Sequence, residues 1–380
     1  MCRQLAAALL ATVAISAIEA GSPAALFVAA PGSPIAVAGG PQNVAVGDVN
    51  GDGKPDLVVP CSKNQTAILL GDGRGGFRPA PDSPLPYPGG EMGLGDVNGD
   101  GKLDIALADH DSYAITVLLG DGRGGFAPVR GSPFTGKDGQ HPHTHGLALA
   151  DVNGDGKLDM VIGNNDDGDV SVLLGDGRGG FTRAPGSPFP VGESPYPIAI
   201  GEVNGDGHPD IVAPNSGPNN LTVTVLLGDG RGAFRPAPAS PFRVADGPYF
   251  VALGDVNGDG KPDIVATHDD SSAVSILLGD GRGKFRPAPY SPLDIGRRAM
   301  GVVVADVNGD GHADLVAAAG DGVRVLLGDG RGGFRPAPGS PFASGKGVWR
   351  LAVADLNGDG KPDVAAVGYE SNSVTVLLAR

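Results

Sequence analysis

Seven times along the chain, bulky apolar residues alternate with small ones just before an acidic residue. The bulky pairs are Val44/Val46, Met92/Leu94, Leu147/Leu149, Ile198/Ile200, Val251/Leu253, Val302/Val304 and Leu351/Val353. The residues interleaved with them are Gly or Ala, Val303 excepted. A period of two marks a β-strand whose faces meet different surroundings. Small residues on one face suit strands crowded around a central axis.

The rest of each repeat reads as a meander. In the first, residues 43–49 form the alternating strand, a polar loop follows, and residues 56–60 and 65–70 read as two more strands. A Gly71-Asp-Gly-Arg-Gly-Gly76 turn leads to a fourth strand at 77–80, and then a Pro-rich crossover runs to Pro84. Such short apolar runs between Gly-rich turns predict antiparallel hairpins. The Leu-Leu-Gly-Asp-Gly-Arg-Gly-x-Phe turn occurs six times, ending at Phe77, Phe126, Phe181, Phe234, Phe285 and Phe334. The seventh repeat stops at Arg380, one strand short, while residues 25–34 match the segment 333–341. The N-terminal strand is therefore expected to complete the last sheet. Radially repeated four-stranded sheets make a β-propeller, here all-β with seven blades, and closure protects its edges.

The loop between the first two strands carries the chemistry. It reads Asp48-Val-Asn50-Gly-Asp52-Gly-Lys-Pro-Asp56 in the first copy, with oxygen-bearing side chains at positions one, three, five and nine. The corresponding sets are Asp96, Asn98, Asp100, Asp104; Asp151, Asn153, Asp155, Asp159; Glu202, Asn204, Asp206, Asp210; Asp255, Asn257, Asp259, Asp263; Asp306, Asn308, Asp310, Asp314; and Asp355, Asn357, Asp359, Asp363. A hard divalent cation, calcium above all, takes six to eight oxygen ligands and tolerates loose geometry. Carboxylates this close repel one another unless a cation is shared. Gly at position six permits the bend, and position seven, Lys54 or His208, offers its carbonyl. A plain Asx-rich turn would not keep four oxygen positions through seven copies. A helical calcium loop needs Glu at position twelve, where Val59 and Ala366 stand.

Composition agrees with this picture. There are 65 Gly and 34 Pro in 380 residues, too many breakers for a helical protein. Seven divalent ions would bring the formal net charge from −15 to −1, and no basic stripe invites nucleic acid. Residues 1–20 read as a secretory signal, with Arg3 before the apolar run from Leu5 to Ile18 and Ala17 or Ala20 before cleavage. The propeller is then expected to occupy residues 21–380 of a secreted or cell-surface monomer without a membrane span. Cys2 would leave with the signal, so Cys61 has no internal disulfide partner.

The Gly-x-Phe and Asp-x-Asn-x-Asp-Gly-x-x-Asp elements together resemble the FG-GAP/VCBS repeat family, which includes the N-terminal propeller of integrin α chains. The resemblance spans essentially the whole chain after residue 20. It implies calcium ligands at positions one, three, five and nine and at the carbonyl of seven, in all seven blades. Glu202 departs from the pattern by one methylene.

Metal loops and Gly-Asp-Gly-Arg turns should share one face, where Arg74, Arg123, Arg178, Arg231, Arg282 and Arg331 are either solvated or offset carboxylates. Specificity is expected on the other face, whose loops differ among repeats. Six residues before each first ligand stand Gln42, Gly90, His145, Tyr196, Tyr249, Met300 and Trp349, with Asn43, Glu91, Phe250 and Arg350 beside them. From these, Glu91, His145, Tyr196, Tyr249, Phe250, Trp349 and Arg350 are the candidate ligand contacts at the channel mouth. Aromatic faces with a few polar groups suit a sugar ring or a protein loop. The alternative is that the same residues plug the channel.

The His141-Pro-His143-Thr-His145 run fits a transition metal, though a solvated loop is the simpler reading. The acidic segments at 164–169 and 268–270 read as solvated turns. Asn64 and Asn220 begin glycosylation triplets. Neither a Gly-x-Ser-x-Gly elbow nor a His-Glu-x-x-His pair is present, and no catalytic residue is assigned. The reading is a calcium-stapled module that binds a glycan or extracellular protein. Two alternatives stand beside it: a polysaccharide-acting enzyme using Glu91, His145 and Arg350, and a purely structural surface protein.

Overall fold

The computed structural model describes residues 25–63, 65–109, 112, 114–135, 143–217 and 221–380. The signal-like segment, Cys2, His141, Asn64 and Asn220 lie outside them. All regular structure among the described residues is β, and seven antiparallel sheets follow one another along the chain. Blade 1 consists of Ala45–Gly47, Asp56–Cys61, Gln65–Gly71 and Phe77–Pro79, in that order from the axis outward. Each first strand touches the first strand of the next blade, and the ring closes between blades 7 and 1.

Blade 7 takes Val348–Ala354, Asp363–Gly368 and Ser373–Ala379 from the C-terminal end and Phe27–Ala29 from the N-terminal end. Phe27 pairs with Ala379 and Ala29 with Leu377, as the matching termini led one to expect. The closing strand also packs sideways: the Phe27 ring meets Phe342 of blade 6 edge-on at 5.3 Å. The same contact joins Phe134 to Phe181, Phe189 to Phe234 and Phe242 to Phe285, at 5.3–5.5 Å. An aromatic pair of this kind contributes about 0.5–1.5 kcal/mol beyond its burial.

The two middle strands of a blade lie between two neighbouring sheets, which is why their sequence is apolar without alternation. Leu57, Val58 and Val59 are fully buried, as are Leu315, Val316 and Ala318. The small residues of the first strand have a specific use. A Cβ on Gly47 would come 2.6 Å from Leu103 and 2.9 Å from Leu94; one on Gly254 would come 2.5 Å from Val304. The bulky positions of one blade therefore fill the space that the small positions of the preceding blade leave.

The outer edge holds a feature that the sequence reading treated as a plain crossover. Each fourth strand has three residues against the third strand's six or seven, so half of that strand would be left open. The chain fills the gap with the residue after a Ser-Pro pair. Ile35, Leu85, Phe134, Phe189, Phe242, Leu293 and Phe342 each pair with the start of the third strand. The Ser-Pro bond before each of these seven residues is cis. Each Ser Oγ accepts a third-strand N–H, as Ser83 does from Ile68 at 2.9 Å and Ser33 from Val376 at 2.8 Å. Proline on the outermost strand, as at Pro79 and Pro336, leaves few free donors for another chain to join.

Candidate functional site

The first face carries the seven acidic loops. Positions four and six are glycines at positive φ, 75° and 78° for Gly51 and Gly53. That conformation wraps the loop around its first carboxylate. Asp48 accepts N–H groups from Gly51 and Gly53, both at 2.7 Å, and from Asp52 at 3.2 Å. Asn50 Oδ1 accepts from Asp52 at 2.8 Å. The ninth residue is fully buried in every copy: Asp56, Asp104, Asp159, Asp210, Asp263, Asp314 and Asp363. Its two oxygens hold the loop to the end of the third strand. Asp56 accepts from Val49 at 3.0 Å and Gly71 at 2.8 Å, and Asp363 from Leu356 at 2.9 Å and Ala379 at 2.8 Å.

These buried carboxylates are held above the usual range. Burial is the main cause, the carboxylates at positions five and one add to it, and the two backbone N–H groups oppose it. In blades 4 and 5 the effect pushes Asp210 and Asp263 up to about 6. Three acids with an all-oxygen donor set and an uncompensated buried charge match what a hard cation needs. The fifth carboxylate is the misfit. Asp52 turns to Lys54, whose Nζ lies 3.4 Å away, and it would have to turn back to serve as a ligand. Among the described residues, no three His, Cys, Asp or Glu side chains converge closely enough to enclose an ion by themselves.

Glu202 alters its loop visibly. The other six first carboxylates reach the sixth-position N–H, as Asp255 reaches Gly260 at 2.7 Å. Glu202 keeps the fourth-position N–H of Gly205 and accepts from Asn204 at 2.7 Å, without the sixth-position contact. The Gly-Asp-Gly-Arg turns sit on this same face and bridge blades. Gly124 N–H donates to Val49 O of the preceding blade at 3.1 Å, and Gly332 to Val256 O at 3.2 Å. Against a desolvation cost, the backbone N–H groups of Lys284 and Arg282 lower the Asp280 carboxyl, and those of Arg331 and Gly333 lower Asp329.

The second face opens on the channel. A cavity of about 420 Å³ is lined by Gln42, Glu91, Asp109, His145, Tyr249 and Trp349, among others. His145, Tyr249, Met300 and Trp349 are each the extra residue of a β-bulge, where the pairing skips from Thr144 to Gly146, Pro248 to Phe250, Ala299 to Gly301 and Val348 to Arg350. A bulge re-aims its side chain out of the sheet. His145, Tyr196 and Tyr249 stack in sequence, with centroids 4.6 Å apart and planes 40° apart at each step. Trp349 continues the arc by donating Nε1–H to the Tyr249 hydroxyl at 3.4 Å and meeting Tyr369 at 4.8 Å.

Family comparison settles what the repeats are. A model of the FG-GAP-like repeat matches overlapping stretches from 96 to 366, and one of the FG-GAP repeat matches 40–65. The chain belongs to the FG-GAP repeat family. A search of curated proteins finds no match. Among solved structures, BBS1N in complex with ARL6DN is 12% identical with TM-score 0.63, covering 94% of this chain and 98% of that one. A lectin from Agrocybe aegerita that recognises non-reducing terminal N-acetylglucosamine is 20% identical with TM-score 0.51, covering 89% and 93%. Virginiamycin B lyase from Staphylococcus aureus is 12% identical with TM-score 0.56, covering 91% and 98%. At these identities the likeness is one of fold.

Within this FG-GAP propeller the predicted mouth residues divide in two. His145, Tyr249, Trp349 and Glu91 do line one cavity. Arg350 does not: it is 4% exposed, beneath the mouth. Its guanidinium meets Glu91 Oε1 at 3.2 Å, donates to Met300 O, and lies 5.3 and 4.8 Å from the Tyr249 and Phe250 ring centres. Asn43 donates to the other Glu91 oxygen at 3.2 Å. The residue after a bulge faces the opposite way, so neither Arg350 nor Phe250 lines the cavity. Burial raises the Glu91 carboxyl, and Arg350 works against that. Tyr196 stands in the arc between His145 and Tyr249 and does not line the cavity. Sequence reasoning missed Asp109 and Tyr369, which follow the second strands of blades 2 and 7. Their signal was available: the residue after the second strand is not fixed among the repeats, running from Ser62 and Asp109 to Gly320 and Tyr369. His143 and His145 stack at 4.3 Å, and His143 Nδ1 meets Asp166 at 3.4 Å, a histidine pair held by ring contact.

Proposed function

We propose that this FG-GAP propeller is a secreted binding module that holds calcium in its seven loops and captures a glycan or protein ligand at the channel mouth. One observation carries the binding half. The two faces of the ring are built from the same repeats, yet residues at the mouth vary from blade to blade and are turned outward by bulges into one cavity. In the metal half, the first, third, fifth and ninth side chains and the seventh carbonyl would hold each ion. The ion would supply the positive charge that the buried ninth carboxylate lacks.

Propellers of similar fold give the ligand classes some support: one is a lectin and one is found in complex with a protein. Among the described residues no helix is long and apolar enough to cross a membrane. The test is a screen of glycans and extracellular proteins with the intact chain and with Trp349→Ala. A ligand bound by the first and lost by the second, at equal melting temperature, supports the mouth as the site. Ligands held equally by both remove it. The enzymatic reading keeps Glu91, His145 and Arg350 close together, but Glu91 and Arg350 are spent on each other.

A further inference from the structure

The crossover into blade 5 is fastened from beneath by a histidine. We propose that His268 is an acid-sensitive clasp, whose protonation releases residues 244–249 and with them the Tyr249 wall of the mouth. His268 ends the strand Asp263–His268 and is 1% exposed. Its Nδ1 meets Asp246 O, and its Nε2 lies 2.9 Å from Ser275 Oγ. Ser275 Oγ in turn accepts the Ala245 N–H at 3.1 Å. The ring therefore holds the crossover twice, once directly and once through a buried serine. Just beyond, Gly247 O accepts from Asp269 at 3.1 Å, and Tyr249 then projects into the cavity and takes the Trp349 Nε1–H.

The hydrogen-bond roles leave no place for a second proton. A carbonyl only accepts, so the neutral ring carries its hydrogen on Nδ1, and Nε2 accepts from the Ser275 hydroxyl. Protonation turns Nε2 into a donor. It then faces an oxygen already engaged by Ala245, the serine hydrogen loses its acceptor, and a positive charge is buried. The charged groups on the surrounding elements are Arg243 and Asp246 of the crossover, Asp269 and Asp270 of the turn after the strand, Arg298 of the next crossover and Asp294 beside the third strand. Asp269 is paired with Arg298 at 2.9 Å, and Asp294 accepts from Ser272 at 2.6 Å. Burial holds His268 below its ordinary 6.5, against the backbone of Asp246 and Gly247 and the Asp246 carboxylate, which favour the charged ring. A released ring binds its proton at the ordinary value. The closed crossover is thus at full strength above pH 6.5 and loses ground as pH falls beneath it.

Neighbouring blades do the same work with a neutral group. Asn164 ends the second strand of blade 3 and donates to Ser171 at 2.8 Å; Asn215 ends that of blade 4 and donates to Thr224 at 2.9 Å. Thr224 donates onward to Val191 O of the crossover into its own blade at 3.1 Å. An amide therefore suffices to fasten a crossover, and the histidine of blade 5 adds a response to pH.

The experiment compares amide hydrogen exchange in the full chain and in His268→Asn, from about pH 7.5 to about pH 5, corrected for intrinsic exchange. In the parent, protection at Ala245 and Asp269 should drop about tenfold over that range, while Ser216, the blade 4 counterpart of Asp269, keeps its protection. Emission from Trp349, the one tryptophan, should change with it. In His268→Asn, Ala245 and Asp269 should stay within about twofold. Equal losses in parent and variant overturn the clasp, and so does a loss that Ser216 shares. The ring itself, followed by NMR in the parent alone, keeps the test alive if the variant misfolds. Its midpoint should lie below 6.5 and coincide with the loss at Ala245; separate midpoints overturn the proposal. Release at Ala245 with Trp349 emission unmoved overturns the link to the mouth.

Discussion

The two faces of this ring are made from the same seven repeats and treat them in opposite ways. On the loop face, Asp56 and Asp363 stand 307 residues apart and make the same pair of hydrogen bonds within 0.1 Å. On the mouth face, equivalent positions hold Gln42, Gly90, His145 and Trp349, and the Glu91–Arg350 ion pair joins blade 2 to blade 7. Repetition serves a task that every blade shares, which is to fix a hairpin and seat the next blade's turn on it. Variation serves a task the ring performs once. The difference shows where to look for stability and where to look for recognition.

Removing the ion should break the loop face most severely. A ligand bound only by the folded state adds about 2.7 kcal/mol per site at a hundredfold excess over its Kd. Seven proposed sites multiply that, so chelator should lower the melting temperature by tens of degrees. A melt indifferent to chelator and to added calcium removes the proposed ions. The mouth should answer to a different change. Glu91→Leu leaves the Arg350 charge buried without its carboxylate, at a cost of about 3–5 kcal/mol. Glu91→Leu with Arg350→Met should recover most of it. Chemical denaturation of the parent chain and these two variants checks this, and a double variant no better than the single one would show that the pair is not coupled.

A smaller effect separates the two roles of the ninth carboxylate. In chelator, Asp363→Asn should still cost about 1–3 kcal/mol, because an amide cannot accept from both Leu356 and Ala379. Asp359→Asn, on an exposed side chain, should cost nothing there and matter only with calcium. Acidity tests the same carboxylates. Asp210 and Asp263 lie at about 6 when folded against an ordinary 3.8, so between those values the native state holds protons that the unfolded chain has released. Stability from this source is complete below 3.8 and is lost as pH rises through 6. Without metal, the melting temperature should therefore fall from about pH 4.5 to 7; with saturating calcium, protons compete with the ion and the slope should reverse. The exposed Asp52 and Asp100, lowered chiefly by Lys54 and Lys102 contacts against a desolvation cost, pull the other way, but water screens them.

The fold was legible because its signals are local and repeated. Alternation at Val44 and Val46, the Gly-Asp-Gly-Arg turns and the match of residue 27 to the Phe334 segment were enough to close the ring. The cis Ser-Pro pairs were missed because the segment looks like any Pro-rich linker until the short fourth strand shows what it must cover. The mouth was half legible. Period-two reasoning put His145, Tyr249 and Trp349 at the rim, but a strand read without bulges also puts Phe250 and Arg350 there. A bulge adds one residue without leaving a compositional mark, and it reverses the side of everything near it. The partnership of Glu91 with Arg350 spans 259 residues and three blades, so only the closed ring brings it about.

The finest test of the contrast lies in the one loop where repetition lapses. The Glu202 carboxylate stands one methylene farther out, accepts from Asn204 and Gly205, and does not take the fifth- and sixth-position N–H groups that its six counterparts hold. Glu202→Asp should restore the arrangement around Asp255 and its fellows, in which the first carboxylate accepts from positions four, five and six. Each regained exposed hydrogen bond contributes about 0.5–1 kcal/mol, near the lower end for such bonds. The gain should be larger in calcium than in chelator, because the shorter arm also re-aims a ligand. Equal gains in both would assign the benefit to the backbone alone. A loss in both would mean that blade 4 has adapted to its longer side chain, and that the loop face, too, holds a position where one blade is not interchangeable with the rest.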